Sequence, residues 1–109
     1  MTVSVYLIDP VAHATFSAAN GTKADLARGD CLFLGLNCFE PGQHQRVHRH
    51  DRADKFYLIV SGKARMAVGE DVFEAGPGSL VWAPAGVPHG VLEVHEHTVM
   101  IVGLSPPPG

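Results

Sequence analysis

The sequence predicts an all-β sandwich or barrel, and two observations carry that expectation. Glycine (12 residues) and proline (8) interrupt the 109-residue chain at short intervals, and the segments between them are short and apolar. Many brief strands with turn signals between them are the mark of such folds. No window sustains a helical period over three turns, the length a stable helix needs. The segment SAANGTKADLARGD comes nearest, but Gly21 breaks it and Gly29 ends it. It reads as turns that link the first strand to the next.

The expected strands lie in VSVYLI, CLFLGLNCF, KFYLIV, ARMAV, SLVWA, GVLEV and TVMIVGL. In the fourth, Ala64, Met66 and Val68 share one face while Lys63 and Arg65 share the other, as a half-exposed strand requires. VGEDV then reads as a hairpin turn that sends the chain back toward EAGPG. The tail, residues 105–109, is SPPPG, too rich in proline for a central strand. There is no internal repeat, and a chain of this length fits one domain, residues 1–109.

Composition narrows the function classes. The chain is 46% apolar and 17% charged, with a formal net charge of -3. Its basic residues are scattered, so no nucleic-acid surface is expected. Cys31 and Cys38 read as buried thiols rather than a disulfide pair; their odd spacing points them to opposite faces if one strand holds both. No apolar run approaches the ~20 residues of a membrane-spanning helix. The N-terminus lacks the basic and apolar regions of a signal peptide, which makes a soluble, cytoplasmic protein the expectation.

Chemistry concentrates in VHRHDRADKF, where His48 and His50 stand two residues apart. On a strand such residues share a face, about 6.5–7 Å apart at the backbone, and two imidazoles there can converge on one ion. From Gly42 to Gly62 the chain reads glycine, five residues, His48, one residue, His50, four residues, Lys55, six residues, glycine. From Gly78 to Glu93 it reads glycine, five residues, Pro84, one residue, Gly86, two residues, His89, three residues, Glu93.

This pair of motifs, about 42–62 and 78–93, resembles the two signatures of the cupin superfamily. The resemblance implies an antiparallel double-stranded β-helix, or jelly-roll barrel. It also implies a homodimer and a divalent transition metal held inside the barrel mouth by His48, His50 and His89. Iron, zinc, nickel, copper and manganese are the candidate ions. Pro84, Pro88 and Gly86 are suited to the tight turn that would aim His89 into the cavity.

Lys55 departs from the pattern, because it stands where the family usually has a glutamate ligand. Glu93 likewise replaces an asparagine. An ammonium ~5 Å from a divalent ion would be repelled by roughly 7 kcal/mol at an effective dielectric of 20. Lys55 must therefore turn away, pair with an acid such as Asp54 or Glu93, or lose its proton; otherwise the site is metal-free. A one-residue slip would instead bring Asp54 inward as a fourth ligand, since a slip exchanges the faces of a strand.

His44, Tyr57 and Trp82 are candidates for the lining of a substrate pocket, and Lys55, if inward, for a general base or a partner of a substrate carboxylate. His95 and His97 read as exposed turn residues, and Arg49, between two inward histidines, should face outward. Two functions are compatible with these residues. One is a metalloenzyme, dioxygenase-like or isomerase-like, acting on a small organic molecule. The other is a non-enzymatic module that binds or senses a small ligand or metal.

Overall fold

The computed structural model describes residues 4–108. It contains nine strands: β1 (Thr22–Arg28), β2 (Phe33–Phe39), β3 (Gln45–His48), β4 (Asp54–Ser61), β5 (Ala64–Val68), β6 (Asp71–Ala75), β7 (Leu80–Ala83), β8 (His89–Val94) and β9 (Thr98–Ser105). A single 3-10 turn at Pro10–His13 precedes them. The strands form a five-stranded sheet, β1-β2-β9-β4-β7, and a four-stranded sheet, β3-β8-β5-β6. All pairings are antiparallel. The order crosses between distant parts of the chain, as in a jelly-roll barrel.

Alternation along each strand builds the core. Tyr57 and Ile59 of β4 and Met100 and Val102 of β9 point inward from the larger sheet. Ala64 and Met66 of β5 and Val91 and Val94 of β8 meet them from the smaller one. Fully burying side chains of this size contributes about 1.5–3 kcal/mol each. A second cluster lies on the outer face of the five-stranded sheet, where Leu36, Cys38 and Val99 pack with Ala14, Ala24, Leu26 and Ile101. Further along that outer face, at β7, Leu80 and Trp82 stand in the open, and Trp82 is 57% exposed.

Two expectations about elements are corrected. Within VSVYLI, Val3 lies outside the described residues, and residues 4–8 form no strand; Val5, Tyr6 and Leu7 are exposed. Apolar β-formers without a neighbouring strand have nothing to hydrogen-bond, and propensity alone does not hold a strand. The segment read as turns instead supplies β1, which fills the interval between Gly21 and Gly29 and pairs with β2 along its length. Lysine, alanine and aspartate are poor strand formers, but tertiary pairing overrides that preference. Cys31 is also not buried: it precedes β2 and is exposed, while Cys38 is buried, and both are free thiols.

Gly62 closes the β4–β5 turn with φ of +90°, a left-handed conformation available to glycine at little cost. The side chain and backbone of Thr98 and the carbonyl of His97 occupy the space a Cβ would need there. Both backbone freedom and a close approach therefore require glycine at this point of the first motif.

Candidate metal centre and the cavity beside it

His48 and His89 are direct cross-strand partners of β3 and β8. Their ring centroids lie 4.5 Å apart, as expected for a facing pair on one side of a sheet. His50 follows β3 by two residues and adds a third ring, 4.9 Å from His48 and 5.4 Å from His89. One ligand atom from each residue lies within 4.8 Å of the other two. Imidazole nitrogens grouped this closely are those a single transition-metal ion would draw together.

Hydrogen bonds select the nitrogens that face the centre. Nδ1–H of His48 donates to the Arg46 carbonyl at 2.9 Å, and Nδ1–H of His89 donates to the Val87 carbonyl at 3.0 Å. Such contacts fix the tautomer and leave Nε2 free as a ligand. His89 is 1% exposed, and its Nε2 is buried without a hydrogen-bond partner among the described residues. A buried polar atom left without a partner is costly in a native fold. Three imidazoles, one with its Nε2 buried and unpartnered, are a donor set that fits a transition metal.

The second motif holds the first in place. Val87 N–H donates to the Pro84 carbonyl at 3.1 Å, and Gly86 has φ of +82° at the third position of this turn, the type II pattern. Gly86 N–H donates to the His50 carbonyl at 2.8 Å, which ties the loop PAGVPHG to the backbone of a motif-one histidine. Asp54 clamps the same loop from outside: its Oδ1 accepts from Ala85 N–H at 2.9 Å.

That contact corrects the placement of Asp54 as a fourth ligand. β4 does not slip, so Asp54 is exposed on the outer side and Lys55 points inward. Lys55 is 7% exposed, and its Nζ lies 4.6 Å from the centre of the Tyr57 ring. Neither acid expected to neutralise it does so. Asp54 serves Ala85, and Glu93 is exposed beside His95, 3.6 Å away. Among the described residues no side chain forms an ion pair with Lys55. Burial, then the charge of Lys23, lowers its pKa to about 8.

The imidazoles respond to the same surroundings. Burial lowers the pKa of His89 to about 4, and the charges on His48, Lys55 and His50 reinforce this against the opposing hydrogen bond to Val87. His50 is also lowered, chiefly by burial, then by Lys55, His48 and Lys23. Neutral rings are the form that can ligate a metal.

A cavity of about 270 Å³ opens beside His48, His50 and Lys55. Its walls include Lys23 and Asp25 of β1, Phe33 and Asn37 of β2, Val102 and Leu104 of β9, and Pro108 of the tail. The tail is secured by Arg28, whose guanidinium donates to the Pro108 carbonyl. Asn37 and Lys23 are register partners and also border a smaller neighbouring cavity of about 140 Å³, where His44 and Gln45 lie.

The remaining candidates fall in different places. Tyr57 is fully buried beneath Lys55, 6.1 Å from His89 between ring centroids, and its hydroxyl donates to Gln45 Oε1 at 2.6 Å. His44 lines the smaller cavity, not the larger one. Trp82 does not line the pocket, because it projects from the outer face of β7. His95 and His97 are exposed and face Glu74 and Glu40, and Arg49 faces Asp51. Lys23 and Asn37 escaped the sequence reading because their strand partners Ala24, Leu26, Leu36 and Cys38 advertise the opposite face as the apolar one. Here that face lies under the second cluster and the polar face looks into the cavity.

Comparison with known proteins agrees with this architecture. Residues 35–103 match the Cupin_2 family, a cupin domain, and the chain belongs to that family. It is 31% identical over 91 residues to the uncharacterized protein SCO3923 of Streptomyces coelicolor, covering 84% of this chain and 86% of that protein. The crystal structure of TT1209 from Thermus thermophilus is similar with a TM-score of 0.86 and 32% identity, covering 92% of this chain and 96% of that one. KdgF from Halomonas sp. shares the fold, with a TM-score of 0.83 at 20% identity, covering 98% of this chain and 96% of that one. No helix among the described residues is long and apolar enough to cross a membrane.

Proposed function

We propose that this single-domain cupin binds one divalent transition metal through His48, His50 and His89 and acts on a small organic substrate held in the adjoining cavity. The observation that carries this reading is the convergence of three imidazoles, with Nε2 of His89 buried and unpartnered. Iron, zinc, nickel and copper suit an imidazole donor set, and manganese, which favours oxygen ligands, would suit it less. When bound, such an ion supplies Lewis acidity or oxygen activation at its open positions.

The chain's own residues provide the rest. The Arg46 and Val87 carbonyls orient the ligand rings. The walls from Phe33, Val102, Leu104 and Pro108 restrict water and shape the substrate space. Lys55, inside the same space, is the group available to meet the substrate or to move a proton at Nζ. Dioxygenase-like and isomerase-like reactions both fit a three-histidine centre with room for a small molecule. Two copies paired through the exposed Leu80 and Trp82 form the proposed homodimer, in the cytoplasm.

Metal content measured by mass spectrometry on untagged protein tests this function. Near one metal per chain, lost in His48→Ala and in His89→Ala, is the expected result. A folded protein that neither retains a stoichiometric metal nor takes one up on reconstitution overturns it. Metal-dependent oxygen consumption with thiols, diketones or phenolic acids would mark the dioxygenase branch. Its absence across such a panel, with tight ligand binding kept, would identify a binding module without turnover.

A further inference from the structure

We infer that the cavity takes a small monocarboxylate, with Lys55 as the carboxylate anchor and Lys23 as a second cation at the rim. This rests on the cavity assigned above as the substrate site, and it names the class of molecule that enters. A long cationic side chain is almost never fully buried unless it is paired. Lys55 is 7% exposed, borders the cavity and has no acidic partner among the described residues. Its Nζ rests 4.6 Å from the centre of the Tyr57 ring, whose face offers partial compensation. An anion entering from the cavity supplies the missing partner.

The charges that border the cavity support the same sign. Lys23, Lys55 and Asp25 all border the cavity, with the His48 and His50 rings, so the fixed lysine and aspartate charges sum to +1 before any metal is counted. Asp25 is exposed on β1, whereas Lys55 is buried, so the stronger field inside the cavity is positive. Phe33, Val102, Leu104 and Pro108 contribute apolar lining, with Leu104 directly beside Lys55 as its β9 register partner. A volume of about 270 Å³ falls just below the ~300–1,000 Å³ of pockets for drug-sized ligands. The fitting molecule therefore carries one carboxylate, a short apolar body, and a neighbouring oxygen that can reach the histidine cluster.

The test compares 2-hydroxybutyrate with its uncharged amide by NMR titration of isotope-labelled protein, zinc-loaded and metal-free, with zinc content measured on the same samples. The acid is expected to bind at least tenfold more tightly than the amide in both forms, with shifts centred on Lys55, Val102 and Leu104. In Lys55→Met that preference should fall to within twofold, in the metal-free form as in the zinc-saturated one; in Lys23→Met it should shrink by a smaller factor. Equal binding of acid and amide, or a preference that survives in Lys55→Met, overturns the proposal. If Lys55→Met does not fold, intermolecular nuclear Overhauser contacts between ligand and the Lys55 side chain in the wild-type protein decide, and their absence at saturation is the overturning result. Failure to bind zinc sinks the metal reading alone, because the metal-free comparison still settles the carboxylate.

Discussion

Lys55 and Tyr57 occupy successive inward positions of β4, and the lysine Nζ lies 4.6 Å from the tyrosine ring centre. The place where the family motif usually supplies a negative ligand thus carries a cation, held beside the three histidines. Metal-free protein should reveal the cost of this arrangement. Because burial, then Lys23, lowers the Lys55 pKa from 10.5 to about 8, the unfolded chain binds more protons between those values. Stability relative to Lys55→Met should then rise as pH increases from about 8 to 10.5. Denaturant titrations across that window check the sign. Zinc affinity measured at pH 7 should be higher in Lys55→Met than in wild type, with the gap closing above pH 8 as the ammonium is lost.

His89 gives the opposite end of the pH scale. Its pKa is lowered from 6.5 to about 4, mainly by burial, so protonating it favours the unfolded chain. The contribution of a neutral His89 is complete above pH 6.5, declines as pH falls toward 4 and is gone below that. Thermal melts of metal-free wild type and His89→Gln should therefore converge as the pH is lowered through this range. A constant difference between pH 7 and 4 would contradict the burial assigned to the ring.

Asp54 separates a loop clamp from a metal ligand. Its carboxylate accepts from Ala85 N–H on the exterior, so Asp54→Ala should cost about 1 kcal/mol of stability. Metal stoichiometry should remain that of wild type. Loss of the metal in this variant would instead place Asp54 at the centre.

Gly90 lies between His89 and Val91, and a Cβ there would sit 2.8 Å from the Val47 Cα and 2.9 Å from the Gln45 carbonyl oxygen. Both obstacles are backbone, so Gly90→Ala must push β3 away from β8. The expected cost is about 1–3 kcal/mol, the range for overpacking. Because His48 rides on β3, zinc affinity should also fall about 10–100-fold, as when ligand positioning is lost. Calorimetric zinc titration of the folded variant measures the second effect apart from the first.

Much of the barrel is written in the sequence. Six of its strands coincide with the expected apolar or alternating segments, and the two motifs locate the histidines. What the residues did not announce follows from pairing and from which face is covered. β1 is poor in strand formers and exists because β2 pairs with it, whereas Val5, Tyr6 and Leu7 lack a neighbour and form no strand. Lys23 and Asn37 were hidden for a related reason, because Ala24 and Leu26 bury the outer face and leave the polar one to the cavity. The inward turn of Lys55 was one of two registers open to the loop DRA. The hydrogen bond from Ala85 to Asp54, between residues 31 apart in sequence, belongs to the register the fold adopts.

Trp82 is the chain's single tryptophan, and it stands on the outer face of β7 opposite Phe56, with the barrel wall between it and the cavity. The protein therefore carries a fluorophore insulated from its interior cavity. Filling that chamber should leave the emission maximum in place, while anything that covers the outer wall should shift it to shorter wavelength. Intrinsic fluorescence becomes an optical gauge of association that needs no label and runs independently of chemistry inside the barrel.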